Sequence, residues 1–129
     1  MQITCIKETC LYVEDLARTR EFYEGQMGFK VIGQAEGRHI FFRAGTSVLL
    51  CFIAEATKQD PSLPPHYGSG KLHLAFECRR KEYLKWKEKI ISLGIPIEKE
   101  QEWGKDKKSF YLRDPDGHLL EIVGEGVWD

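Results

Sequence analysis

The sequence predicts an α+β fold in which a βαβββ unit is written twice, and three observations carry that prediction. Short apolar runs with strand-like spacing recur along the chain, bounded by turn residues. Two segments with helical spacing each follow the first strand of a half, and each is closed by a glycine, Gly28 and Gly94. Near the C-terminus, Asp114-Pro115-Asp116-Gly117 joins two strands by a tight turn, because proline fixes φ at the second position and Gly117 accepts the positive φ where the chain reverses.

In order, Thr4 to Val13 reads as the first strand, with Cys10-Leu11-Tyr12-Val13 as its apolar end. Asp15 is placed to cap the first helix, whose Leu16, Phe22, Tyr23 and Met27 recur at helical spacing up to Gly28. Phe29 to Ala35, Arg38 to Ala44 and Ser47 to Ala54 read as three further strands. Residues 56 to 70, ATKQDPSLPPHYGSG, are rich in proline, serine and glycine and suit an exposed connector better than a regular element. Lys71 to Cys78 is again a strand, and Arg80 to Leu93 a helix with Tyr83, Leu84, Trp86, Ile90 and Ile91 on its buried side. Ile95 to Glu100, Lys107 to Arg113 and His118 to Val123 complete the second unit. The organisation expected is one domain over residues 1–129, with modules at 1–55 and 71–129 and a linker at 56–70.

Composition excludes several classes of function. The 129 residues suit one domain, and the 42% hydrophobic and 30% charged contents are ordinary globular values. Nineteen basic and twenty acidic side chains leave a net charge of −1, so no long-range field recruits nucleic acid or an anionic membrane. No apolar run approaches the roughly 20 residues that span a bilayer, and MQITCIKETC lacks a secretory pattern, which points to the cytoplasm. Cys5, Cys10, Cys51 and Cys78 have no CxxC spacing and read as free thiols, three of them inside apolar strands.

Glu121 points to chemistry. Its neighbours Leu119, Leu120, Ile122 and Val123 predict burial, and a buried carboxylate demands a partner: a counter-charge, hydrogen bonds or a metal. Matching the halves suggests where partners lie. Glu8 falls on His73 at a spacing of 65 residues, and Arg43–Phe52 falls on Arg113–Ile122 at a spacing of 70, setting Cys51 against Glu121. Glu8, Cys51, His73 and Glu121 then face a common concavity if a pseudo-twofold axis relates the halves. His39, His66 and His118 have no partner in the spacing.

The segments ETCLYVEDLARTREFYEGQMGF, KLHLAFEC and SFYLRDPDGHLLEIV resemble the signature segments of the vicinal oxygen chelate superfamily, which includes glyoxalase I, fosfomycin-resistance thiol transferases, extradiol dioxygenases and bleomycin-binding proteins. The resemblance implies paired βαβββ modules forming a cupped mixed sheet around one divalent metal per site, closed by a homodimer partner. It places the metal ligands at Glu8, His73 and Glu121, a set that suits Mn, Fe, Ni, Co or Zn, with Glu8 and Glu121 as the catalytic, proton-moving carboxylates. The implied function is metal-dependent, glyoxalase-like lyase or isomerase chemistry on a small oxygenated metabolite.

Two departures keep alternatives in play. Glyoxalase I has a fourth ligand, a glutamate, where this chain offers Leu50 or Cys51. Cys10, on the same strand face as Glu8, and Tyr111 match residues of the fosfomycin-type thiol transferases, although Glu8 stands where most members have histidine. Thiol transfer is therefore one alternative. A metal-free small-molecule binding protein of the bleomycin type, its cavity lined by Tyr12, Phe42, Trp103 and Tyr111, is the other. On either enzyme reading Tyr111, Cys10, Tyr12 and Trp103 are the expected substrate contacts.

Overall fold

The computed structural model describes all 129 residues, and the chain divides into two compact units, Met1–Gly70 and Lys71–Asp129. The first contains β1 (Glu8–Val13), α1 (Leu16–Arg20) continuing into a π-helical turn (Glu21–Gln26), β2 (Lys30–Ala35), β3 (His39–Ala44), β4 (Ser47–Ile53) and α2 (Ala54–Lys58). The second contains β5 (His73–Cys78), a 3-10 turn (Arg80–Glu82) leading into α3 (Tyr83–Ser92), β6 (Lys99–Gly104), β7 (Lys107–Arg113) and β8 (Leu119–Gly124). Each unit holds one four-stranded mixed sheet, in the orders β1-β4-β3-β2 and β5-β8-β7-β6. In both, the first and last strands are parallel neighbours and the remaining pairs are antiparallel. The α+β reading and the repeated βαβββ order hold. No helix is long and apolar enough to cross a membrane.

Each sheet has a helix-covered face and an open face, as the strand period of two requires. In the first unit Leu11, Val13, Ile40, Phe42, Leu49 and Cys51 are buried together with Phe22, Tyr23 and Met27 of the helical segment. In the second, Phe110, Leu112, Leu120 and Ile122 are buried with Tyr83 and Ile90 of α3, and the Tyr83 and Phe110 rings meet edge to face at 5.5 Å. Each such side chain contributes roughly 1.5–3 kcal/mol on leaving water, so each small core rests on a handful of residues.

Local signals are obeyed closely. Asp15 caps α1, its Oδ1 accepting the Arg18 N–H at 2.9 Å. In the turn after β7, Asp114 Oδ1 accepts the N–H groups of Asp116 and His118 at 3.0 and 2.9 Å, the Asp114 carbonyl accepts from Gly117 at 2.9 Å, and Gly117 takes φ 80°.

Several elements differ from the expectation. The first strand begins at Glu8, not Thr4, and the sixth at Lys99, not Ile95. The first helix widens after Arg20, with Met27 N–H donating to the Phe22 carbonyl five residues back at 2.8 Å, which sets the buried Phe22 and Met27 one above the other. The connector opens with a short helix, Ala54–Lys58. On α3 only the Tyr83–Ile90 stripe is buried. Leu84 and Ile91, one residue further round, are 66% and 59% exposed. Phe42, expected on a cavity wall, is instead fully buried on the helix-covered face against Tyr23, at 5.3 Å between ring centroids.

Candidate metal centre

The open face of the second sheet carries the first half of the predicted site. Parallel pairing of β5 with β8 puts His73 opposite Leu119 and Ala75 opposite Glu121, so His73 and Glu121 project from one face of adjacent strands. The His73 Nδ1 lies 2.9 Å from the Leu119 carbonyl oxygen. A carbonyl only accepts, so Nδ1 donates to it, and Nε2 is the nitrogen turned toward Glu121. Nε2 is 3.5 Å from Glu121 Oε2, longer than an ordinary hydrogen bond and suited to two neighbouring ligands around one ion with bonds of about 2.1 Å. Glu121 is 8% exposed, as its apolar neighbours predict.

Of the aromatic residues expected at the site, Tyr111 stands beside this pair. Tyr111 pairs with Glu121 across β7 and β8, and its ring lies 6.3 Å from that of His73. Burial raises the pKa of its phenol; a hydrogen bond from Ser109 works in the opposite direction, and the charge and hydrogen bonding of Glu121 raise it further. Trp103, 53% exposed, donates its indole N–H to Ser109 Oγ at 2.9 Å. Beneath the turn, His118 is buried and its Nδ1 accepts the Leu72 N–H at 2.9 Å, while the Leu72 carbonyl accepts from Leu119 at 2.8 Å. These bonds moor the residue before His73 to the start of β8.

The first unit presents Glu8, Cys10 and Tyr12 on the open face of β1, beside Val48, Leu50 and Phe52 of β4. Glu8 is the first residue of its strand, as His73 is of β5, and is exposed. The Tyr12 hydroxyl lies 2.7 Å from His66 Nδ1, and burial first, then the neighbouring Cys10, raises its pKa. Gly68 lies against the Tyr12 ring so closely that a Cβ there would come within 2.5 Å of it, so this position admits no side chain while Tyr12 stays in place. Phe41 stacks on His39 at 4.0 Å, on the face where Phe42 was expected. His66 and His118, which the spacing left without partners, thus have them.

Cys51 does not share the open face. It pairs with Leu11 on the buried side, and Leu50, opposite Cys10, occupies the position that Glu121 has opposite Ala75. The reason is turn length. Arg43 faces Val48 across four intervening residues, whereas Arg113 faces Leu119 across five, so the halves fall out of step by one residue after the hairpin.

The connector behind Tyr12 is held by Asp60. Hydrogen bonds from the Ser62 N–H and hydroxyl (both 2.8 Å), the Leu63 N–H (3.1 Å) and Arg38 (2.6 Å) hold its carboxyl well below the usual carboxylate range. A depressed folded-state pKa contributes stability above the unfolded value of 3.8 that is lost only as pH falls through the lower folded value. Limited proteolysis between Asp60 and Gly70 is therefore expected to stay slow from neutral pH down to pH 4, and to speed up severalfold at neutral pH in Asp60→Asn.

His73 and Glu121 lie together in the second unit and Glu8 lies in the first. No three His, Cys, Asp or Glu side chains of the chain are gathered closely enough to hold an ion. The pair nevertheless fits a divalent metal: an imidazole whose tautomer is fixed by a backbone carbonyl, beside a nearly buried carboxylate.

Fold and sequence define the class. A family profile described as the Glyoxalase/Bleomycin resistance protein/Dioxygenase superfamily matches residues 5–122, and the chain belongs to that superfamily. Among curated proteins it is similar to metallothiol transferase FosB of Lysinibacillus sphaericus, 30% identical over 123 residues covering 95% of this chain and 83% of that protein. The FosB of Bacillus licheniformis is 28% identical, with 99% and 80% covered. Among solved structures it is similar to lactoylglutathione lyase from Agrobacterium tumefaciens, with a TM-score of 0.93, 29% identity, and 99% and 98% of the two chains covered.

Proposed function

We propose that this protein is a divalent-metal-dependent enzyme acting on a small oxygenated electrophile, and that it works as a homodimer. His73 and Glu121 of the second unit, with Glu8 of a first unit, would hold the ion. The single observation that carries the reading is the His73 Nδ1 bond to the Leu119 carbonyl, which turns Nε2 toward the nearly buried Glu121 carboxylate. A metal-free binding protein has no use for that arrangement. When bound, the ion supplies Lewis-acid stabilisation of negative charge developing on a substrate oxygen. Glu8 and Glu121 are the carboxylates able to move a proton, and Cys10, Tyr12, Tyr111 and Trp103 are the side chains offered to the substrate.

Among the superfamily's reactions, thiol transfer has the stronger support. Leu50 at the position equivalent to Glu121 removes the extra carboxylate that a four-ligand lyase requires, and the curated relatives are named metallothiol transferases. In that reaction a thiol sulfur bonds to an electrophilic carbon, the carbon–oxygen bond opens, and the thiol proton ends on the released oxygen. Glyoxalase-like isomerisation, expected from the sequence, is the second reading, supported by the likeness to a lactoylglutathione lyase. Metal-loaded protein offered a low-molecular-weight thiol with an epoxide, and separately the hemithioacetal of an α-oxoaldehyde, separates the two by mass spectrometry. A thioether is expected from the first mixture. A thioester from the second alone would transfer the proposal to isomerisation, and product from neither across a panel of thiols and metals would end the enzyme reading.

A further inference from the structure

Phe52 departs from the burial pattern of its sheet. It pairs with Tyr12 of β1 and His39 of β3, which puts it on the open face, yet it is only 6% exposed. What lies over it is the connector. The His66 ring stands edge-on to Phe52 at 4.8 Å between centroids, and the His66 backbone N–H donates to the Thr57 carbonyl at 3.1 Å. Tyr12, beside Phe52, grips the same segment in two ways. Its hydroxyl makes the 2.7 Å hydrogen bond with His66 Nδ1, and its ring fills the space that a Cβ on residue 68 would need. Gly68 does not take a positive φ, so glycine serves here for close approach and not for backbone freedom.

We propose that residues 66–68 form an end wall across the open face of the first sheet, that Tyr12 is the positioning residue that moors it, and that the wall restricts the enzyme to short substrates with an apolar body. The proposal rests on the metal-dependent reaction with Glu8 as a ligand and names its substrate class. Glu8, Cys10 and Tyr12 alternate along one face of β1, and at roughly 3.3 Å per residue Tyr12 stands about 13 Å beyond Glu8. The row between them runs from Cys10 through Leu50 and Phe41 to Gly33 and carries no charged side chain. A molecule held by its oxygens at Glu8 therefore lies along an apolar strip and meets the connector within that length. The wall is braced from outside as well. Arg38 holds Asp60 upstream, and the Lys58 ammonium lies 4.6 Å from the centre of the Tyr67 ring.

Two measurements on the whole protein test this. Without metal or substrate, hydrogen exchange at the His66 amide and limited proteolysis of the connector read the mooring. Tyr12→Phe, which loses only the hydroxyl, is expected to speed both severalfold, and Gly68→Ala at least as much. In a Tyr12→Ala background Gly68→Ala is expected to change neither, because the ring it would strike is gone. Unchanged exchange in Tyr12→Phe, or additive effects of Gly68→Ala and Tyr12→Ala, overturns the mooring. With Mn²⁺ and a low-molecular-weight thiol, straight-chain terminal epoxides of increasing length are then offered in competition, and the thioethers are measured by mass spectrometry. The wild type is expected to favour members shorter than the strip over longer ones by about tenfold or more, and His66→Ala and Tyr12→Ala to bring that ratio toward one. A wild type indifferent to length, or a ratio unchanged in both variants, overturns the size limit. No thioether at any length overturns the enzyme reading and the limit with it, while the exchange measurement still decides whether Tyr12 moors the connector.

Discussion

Protein loaded with Mn²⁺ and freed of excess ion is expected to retain metal in stoichiometric amount, and both His73→Ala and Glu121→Gln to retain essentially none. The two side chains supply the donor atoms themselves, so each loss should exceed the 10–100-fold that partners behind the ligands command. Glu121→Gln preserves shape and replaces a nearly buried carboxylate by a neutral amide, so the metal-free melting temperature should not fall. Binding and stability therefore separate. Elemental analysis and thermal melts on the same samples check this, and retention of metal by Glu121→Gln would remove Glu121 from the ligand set.

The second large effect is expected at His118, which is 1% exposed and contacts no substrate in the proposed site. Its Nδ1 accepts the Leu72 N–H while its own backbone N–H is held by Asp114, so the imidazole fastens the entry of β5 to the β7–β8 turn. His118→Ala leaves the half-buried Leu72 N–H without its acceptor and opens a cavity the size of a ring, together about 3 kcal/mol of stability. Urea unfolding should show that loss. His118→Asn, whose side-chain oxygen can take over the acceptor role, should recover part of it. Because Leu72 precedes His73, Mn²⁺ affinity should fall in the same order as stability.

How much of this was legible in the sequence depended on the range of the interaction. The Asp114–Gly117 turn and the Asp15 cap are set by residues within four positions of one another, and both formed as their chemistry dictates. The βαβββ order followed from apolar spacing together with the caps, closing glycines and turn residues between the elements. Burial of Glu121 followed from its apolar neighbours, its grouping with His73 came from the family resemblance, and the parallel β5–β8 pairing that sets the two side by side is seen only in the structure. What escaped was whatever depends on register or on distant hydrogen bonds. Cys51 was assigned to the open face because a single spacing was carried through a hairpin whose two versions differ by one residue. Ser109 and His118 carry no periodic signature, since Trp103 and Leu72 are brought to them by a bulge and by a strand start far away in the chain. Leu84 and Ile91 were misassigned because helical spacing alone does not fix the width of the buried stripe.

The one-residue difference between the two hairpins also bears on how the halves could have diverged. Inserting a residue into a tight turn leaves the ladder beyond it intact but exchanges inward for outward at every later position of that strand. A single codon gained or lost could thus have turned a core residue into a metal ligand, or retired a ligand into the core, without any substitution. Redesign that seeks a second carboxylate in the first half should accordingly aim at Leu50, since a charge at Cys51 would be driven into the apolar interior.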